Sequence, residues 1–141
     1  MVENLIINKI INYKQDISIE KYIELCLYGE FGYYKNSKIL GKEGDFITAP
    51  EISQLFGEII GLFIYDYWQK KINQKFNLIE LGPGKGTLVS DLIRITKNFK
   101  NFKNNVNIHL IEKNINLIKE QKKILSKFNL GKNVNSTLPS F

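Results

Sequence analysis

The chain has 141 residues, of which 43% are hydrophobic, which is enough for one compact domain with an apolar core. Its formal net charge is +6, but the lysines are scattered, so a solvated surface is favoured over a nucleic-acid interface. The single cysteine, Cys26, excludes an internal disulfide framework and a cysteine-based zinc site, and we expect no metal. The sequence shows no signal peptide and no charge-free stretch of membrane-spanning length, which predicts a cytoplasmic protein without a membrane partner.

Residues 1–72 are predicted to form an amino-terminal helical segment. Apolar residues at helical spacing indicate a short helix over residues 2–12. Ser18 is a candidate N-cap for a second helix over residues 19–28, which ends before a glycine.

A third helix is predicted from about residue 49 to residue 70. Thr48 and Glu51 have the spacing of a capping box, with a proline in the first turn. Most apolar residues of this helix are expected in the core. Gly57 and Gly61, four residues apart, would let another element approach closely.

Residues 73–141 are predicted to start with a strand, a glycine-rich turn and a helix. An apolar run ends in an acid and is followed by Gly82, Gly84 and Gly86, after which an amphipathic helix begins at Thr87. This order is typical of the first βα unit of a nucleotide-binding sheet. Gly82 would let the chain reverse, Gly84 would let a ligand touch backbone, and Gly86 would let the helix pack close to the strand.

The residues around this turn narrow the class of ligand. A Walker loop needs Lys directly before Ser or Thr, but Gly86 separates Lys85 from Thr87. A dinucleotide fold usually has the spacing G-x-G-x-x-G, whereas this turn is G-x-G-x-G. The carboxylate of Glu80 suits the cationic amino-acid end of S-adenosylmethionine better than a pyrophosphate. The alternative is a structural strand-to-helix turn without a ligand.

A second βα unit follows a polar connection over residues 97–105. Residues 106–111 alternate as a strand that ends in Glu112, and a helix is predicted from residue 115 until Gly131. An acid at the carboxyl end of the second parallel strand reaches the ribose hydroxyls of a bound nucleotide. The alternative for Glu112 is a surface acid that opens the next helix. The tail could hold one more short strand.

Three segments carry a resemblance to a known family. They are Gly32-Tyr33-Tyr34, the block GDFITAPEISQLFGE over Gly44–Glu58, and ELGPGKGTL over Glu80–Leu88. Together they resemble the mitochondrial dysfunction protein A family, over roughly residues 18 to 140. That family comprises class I S-adenosylmethionine-dependent methyltransferases, including a mitochondrial arginine methyltransferase that assists complex I assembly.

The resemblance implies a set of site residues. Gly82, Gly84 and Gly86 with Glu80 would form the turn that holds S-adenosylmethionine, and Glu112 would hold its ribose. The loop over residues 44–51 would close over the cofactor or arrange the methyl acceptor. Asp45 and Glu51 in that loop are candidates to orient an acceptor guanidinium.

The expected fold is α/β, a partial Rossmann-like methyltransferase sheet preceded by the helical segment. Family members are much longer, so we expect an amino-terminal piece whose unpaired sheet edge needs a second polypeptide to complete the fold. The expected function is methyl transfer from S-adenosylmethionine to a protein nitrogen, with arginine implied by the resemblance. A non-catalytic remnant or scaffold is the alternative, and a nicotinamide-binding domain is disfavoured by the glycine spacing.

Overall fold

The computed structural model describes residues 2–12, 16–35, 44–128 and 134–137. The chain forms two compact units, residues 1–39 and 40–141. The domain boundary predicted after residue 72 stays a prediction. Within the described residues, none of the helices combines the length and the apolar character needed to cross a membrane.

The first unit contains the two predicted amino-terminal helices. They are α1 (Val2–Ile11) and α2 (Ile19–Tyr28). Ser18 caps α2, because its hydroxyl oxygen accepts a hydrogen bond of 3.1 Å from the backbone N–H of Lys21. Both helix predictions are confirmed.

The second unit is built on a parallel sheet of three strands in the order β1 (Phe76–Leu81), β2 (Val106–Ile111) and β3 (Val134–Thr137). Leu81 at the end of β1 is level with Ile111 at the end of β2. The segments that follow these two strands therefore start at the same edge of the sheet, where parallel α/β sheets bind ligands. The predicted strands and their parallel pairing are confirmed.

Helices α5 (Thr87–Thr96) and α7 (Ile115–Leu125) follow β1 and β2, and a turn of 3₁₀ helix, Ser126–Phe128, extends α7. Residues 97–105, predicted as a polar connection, contain a further helix, α6 (Lys100–Asn105). The physical reason is Phe102, whose side chain is only 1% exposed and packs on aromatic rings that include Trp68. Burial of this ring fixes a segment whose polar composition suggested a loop.

The single helix predicted from 49 to 70 is wrong. Two helices, α3 (Ala49–Ile52) and α4 (Gln54–Tyr67), meet at Ser53, and a π-helical turn, Trp68–Ile72, follows α4. Ser53 has extended backbone angles, φ −143° and ψ 121°, which end α3. The predicted capping box is wrong as well, because the Thr48 side chain makes no capping hydrogen bond. The Glu51 carboxylate forms an ion pair with Lys85 instead.

Helix α4 packs on α5 through its glycines, which confirms the predicted close approach. A Cβ at Gly57 would lie 2.5 Å from Cβ of Asp91, and a Cβ at Gly61 would lie 2.8 Å from Cγ2 of Ile95. The expectation that most apolar residues around this helix are core is wrong, because its buried side is the glycine side. The exposed apolar residues of α3 and α4 are Ile52, Leu55, Phe56, Ile59, Leu62, Phe63 and Tyr67.

The core lies between the sheet and the helices of the second unit. Its buried apolar residues are Trp68, Val89, Leu92, Ile93, Phe102, Val106, Ile108, Leu110 and Leu125. Three of them belong to α5 and three to β2, so the helix after the glycine turn and the second strand are held firmly. The glycine turn therefore leads into a rigid element.

Candidate functional site

The glycine turn between β1 and α5 has a backbone that only glycine adopts readily. Gly82, Gly84 and Gly86 all have positive φ, at 66°, 56° and 81°. The N–H of Gly82 donates a hydrogen bond of 2.9 Å to the carbonyl oxygen of Ile111, which ties the turn to the end of β2. The three predicted glycines thus form one rigid turn at the carboxyl edge of the sheet.

Gln121 of α7 supports this turn from behind. Its side chain is fully buried, and its Nε2 donates a hydrogen bond of 2.7 Å to the carbonyl oxygen of Gly84. A Cβ at Gly86 would lie 3.2 Å from Cγ of Gln121, so this glycine permits the close approach. Sequence reasoning missed Gln121. Its signal was a polar residue between Leu117 and Leu125 on the apolar side of α7.

A cavity of about 190 Å³ opens beside the turn. Its lining combines the turn with the end of β1, with α3 and its N-cap, and with the start of α5: Thr48, Pro50, Glu51, Glu80, Gly82, Pro83, Gly84, Lys85, Thr87 and Leu88. Cavities that enclose a whole drug-sized ligand measure roughly 300–1,000 Å³. This cavity therefore suits one end of such a ligand.

Glu80, predicted as the acid of the site, lines this cavity from the end of β1. Burial raises the pKa of its carboxyl group to about 7, because the partly buried position disfavours the charged form. A cation bound in the cavity would favour the ionised carboxylate. Glu80 is therefore placed to sense the charge of a ligand.

Lys85 and Glu51 join the glycine turn to α3. The Nζ of Lys85 lies 3.6 Å from Oε1 of Glu51, and the two side chains are 32% and 13% exposed. The other carboxylate oxygen of Glu51, Oε2, is buried and has no hydrogen-bond partner among the described residues. The sequence analysis used Lys85 as evidence against a Walker loop and as part of the family motif, and it did not predict this ion pair.

Glu112, predicted for ribose binding, directly follows β2 and is 9% exposed. Its Oε1 accepts a hydrogen bond of 2.9 Å from the backbone N–H of Asn114. It is not among the residues that line the cavity, although the register places the end of β2 beside the glycine turn. Asp45 is exposed and also lies outside the lining. The structure therefore brings Glu51, Glu80, Gly82 and Gly84 together at the cavity, whereas Gly86, Glu112 and Asp45 lie outside its lining.

A second charged cluster, also missed, lies between α4 and α5. Arg94 contacts Glu58 at 3.1 Å and Asp91 at 2.7 Å, and the Asp91 side chain is only 5% exposed. A hydrogen bond from Gln54 lowers the pKa of Glu58, and Arg94 adds to that effect against the opposing effect of burial. In the described ranges, no group of three or more His, Cys, Asp or Glu residues is placed to hold a metal ion. We assign this cluster to helix packing.

The cavity combines charged side chains with the glycine turn. Glu51 and Lys85 are opposite in charge, Glu80 adds a carboxyl group that a bound cation would ionise, and the glycines offer backbone without side chains. The fold and this site define a class, a nucleotide-binding α/β protein whose glycine turn is flanked by acids.

The family follows from comparison with known proteins. The model of the family described as "Putative S-adenosyl-L-methionine-dependent methyltransferase" matches residues 59–138, more than half of the chain. The chain belongs to this family. The predicted family resemblance is thereby confirmed, and so is S-adenosylmethionine as the cofactor of the family.

Two curated relatives are named as mitochondrial protein arginine methyltransferases. The chain is 43% identical over 100 residues to protein arginine methyltransferase NDUFAF7 of Bos taurus. The match covers 68% of this chain and 23% of the relative. It is 44% identical over 86 residues to the Drosophila melanogaster homolog, which covers 60% of this chain and 20% of that protein. This chain thus spans less than a quarter of the length of these relatives.

A solved structure shows the same fold. It is a crystal structure of a Burkholderia thailandensis protein bound to S-adenosyl-homocysteine, with a TM-score of 0.74 and 22% identity over 96% of this chain and 37% of that chain. The predicted partial Rossmann-like fold is confirmed.

The predicted cytoplasmic location is wrong by the same comparisons, since the bovine, fly and human relatives are all named as mitochondrial proteins. One free cysteine and a modest basic charge do not distinguish the cytoplasm from the interior of an organelle, so composition carried no such information.

Proposed function

We propose that this chain forms the cofactor-binding part of an S-adenosylmethionine-dependent methyltransferase that acts on arginine nitrogens of proteins. The observation that carries the proposal is the cavity in which Glu51, Glu80 and Lys85 meet the glycine turn. Its carboxyl groups outnumber its one ammonium group, and a cationic cofactor would favour the ionised form of Glu80. The names of the curated relatives supply the class of acceptor, a protein arginine.

Each predicted residue has a role in this proposal. Gly82, Gly84 and Gly86 form the turn against which the cofactor lies, Glu80 faces its cationic end, and Glu112 holds its ribose. When bound, the cofactor supplies a methyl group on a positively charged sulfur. The residues of the chain therefore act mainly by binding and orienting, since alignment of donor and acceptor accounts for much of such a rate enhancement.

An acceptor guanidinium would need a carboxylate to orient it. Of the two candidates, Glu51 lines the cavity, whereas Asp45 is exposed outside its lining. Asp45 remains a candidate through its place in the loop before α3.

Isothermal titration calorimetry with S-adenosyl-homocysteine tests the cofactor site in the purified chain. We expect saturable binding, weaker binding by Glu112→Ala, and no binding of NAD, which matches the glycine spacing poorly. If the folded chain binds NAD instead, or neither ligand, the proposal is overturned. The second outcome would favour a non-catalytic remnant or scaffold.

We also propose that further strands, on a second polypeptide, complete the sheet beside β1. Among the described strands, β1 pairs with β2 alone, so its other edge offers free backbone groups. Ile79 and Leu81, which alternate with less exposed residues along β1, are 59% and 76% exposed, so one face of this strand also lacks a cover among the described residues. The relatives are much longer than the part that this chain matches. A polypeptide that corresponds to the rest of their sequence would cover this edge.

Coexpression with the part of the bovine relative that follows the matched region tests this proposal. We expect a stable complex with methyl transferase activity on a protein substrate, and loss of the complex in Leu81→Asp. Gln69→Asp, at an exposed position away from β1, is the matched control. Two separately migrating chains would contradict the proposal.

A further inference from the structure

We propose that Lys85 and Glu51 together recognise the amino-acid end of the cofactor, with Glu51 receiving its ammonium group and Lys85 its carboxylate. This inference rests on the proposed function and names the part of the ligand that these two residues bind. Neither residue is needed by the glycine turn itself, since the turn is held by Gln121 and by the backbone of Ile111.

Lys85 and Glu51 offer a ligand one positive and one negative charge. Lys85 and Glu51 face one another at 3.6 Å, a separation longer than that of a hydrogen-bonded ion pair, and both line the same small cavity. An α-amino acid carries an ammonium and a carboxylate on one carbon. Its ammonium can therefore bind Glu51 while its carboxylate binds Lys85. The single long contact between Lys85 and Glu51 would then be replaced by two direct contacts with the ligand.

One carboxylate oxygen of Glu51 lacks a hydrogen-bond donor among the described residues. This oxygen, Oε2, is buried, whereas Oε1 faces Lys85. A buried carboxylate oxygen without a donor destabilises the folded protein. An ammonium group brings three donors and one positive charge, so it satisfies this oxygen and leaves Lys85 available for the ligand carboxylate.

The cavity also matches the amino-acid end in size and charge. Its volume, about 190 Å³, suits the amino-acid end of the ligand rather than the whole molecule. With Glu80 included, two carboxylates face one ammonium. S-adenosylmethionine has the opposite excess, because its ammonium and sulfonium outnumber its single carboxylate.

The test compares two ligands that differ in this end alone. S-adenosyl-homocysteine carries the amino-acid portion, whereas 5′-methylthioadenosine keeps the adenosine and sulfur but lacks it. We expect Glu51→Gln and Lys85→Met each to weaken S-adenosyl-homocysteine binding by about tenfold or more, since each removes a charged hydrogen-bonding partner. Calorimetry should show unchanged 5′-methylthioadenosine binding by the same variants.

Exchanging the two charged residues distinguishes recognition of the ligand from an ion pair that only stabilises the fold. The double variant Glu51→Lys/Lys85→Glu keeps a pair between the loop and the turn but reverses the charges offered to the ligand. We expect it to bind S-adenosyl-homocysteine as weakly as the single variants. Lys119→Met, at an exposed position outside the cavity lining, is the control for loss of a lysine.

The outcomes are distinct. If the charge exchange restores S-adenosyl-homocysteine affinity, or if Glu51→Gln binds both ligands like the wild-type chain, the inference is overturned while the proposed function stands. In the second case, a loss of methyl transfer by Glu51→Gln in the completed enzyme would place Glu51 at the acceptor. If the wild-type chain binds neither ligand, the proposed function is overturned together with the inference.

Discussion

Gln121 donates a hydrogen bond of 2.7 Å from its side-chain amide to the carbonyl oxygen of Gly84, across 37 positions of sequence. The donor lies on α7, after the second strand, and the acceptor lies in the turn after the first. One buried amide thus fixes the backbone that the cofactor is proposed to contact.

Gln121→Leu tests this support. Leucine has a similar size but no donor, so the Gly84 carbonyl loses its partner and the free energy of unfolding should fall by about 1–3 kcal/mol. Urea denaturation followed by Trp68 fluorescence measures this change, and binding of S-adenosyl-homocysteine should weaken as the turn relaxes. Lys119→Leu on the exposed side of the same helix should change stability by less than about 0.5 kcal/mol. Equal stability of the two variants would contradict the role of Gln121.

The contact between α4 and α5 gives a second prediction. Gly57→Ala should stabilise an isolated helix by about 1 kcal/mol. In this fold the new Cβ would lie 2.5 Å from Cβ of Asp91, an atom fixed to the backbone of α5. The two helices must separate, and we expect a net loss of about 1–3 kcal/mol in the free energy of unfolding.

Asp66→Ala is the matched control, because it places alanine on the exposed side of the same helix. It removes an ion pair of 2.8 Å with Lys70, and such exposed pairs contribute at most about 1 kcal/mol. Thermal unfolding followed by circular dichroism compares the two variants, and Gly57→Ala should lose more stability than Asp66→Ala. A Gly57→Ala variant as stable as the wild-type chain would show that α4 and α5 adjust freely.

Sequence reasoning succeeded where the structure follows from neighbouring residues. The strand before Gly82, the turn, and the helix from Thr87 depend on alternation and on glycine, and all three form as predicted. Ser18 caps α2 for the same local reason.

Sequence reasoning failed where contacts between residues far apart in the chain determine the local structure. Glu51 has the spacing of a capping residue but contacts Lys85, 34 positions later in the chain. Residues 100–105 have a loop composition but form a helix because Phe102 finds an aromatic pocket. The periodicity of α4 showed which residues share a side and could not show that the glycine side meets α5.

The carboxyl group of Glu80 gives the last prediction, a dependence of stability and binding on pH. Burial raises its pKa from 4.5 to about 7 in the folded chain. Between these values the folded protein holds a proton that the unfolded chain releases, so the free energy of unfolding falls as pH rises through this window. A pKa difference of one unit is worth about 1.4 kcal/mol, and with partial exposure the whole fall should be on the order of 2 kcal/mol.

Glu80→Gln cannot ionise, so it should lack this fall and should be more stable than the wild-type chain at pH 8. Binding should respond with the opposite sign. The ammonium group of the ligand favours ionised Glu80, so S-adenosyl-homocysteine should bind the wild-type chain more tightly at pH 8 than at pH 6. The difference should shrink in Glu80→Gln, because this variant has no carboxyl group to ionise at position 80. Urea denaturation and calorimetry at both pH values measure the two effects, and a wild-type chain that binds equally well at both would show that Glu80 does not face the cationic end of the cofactor.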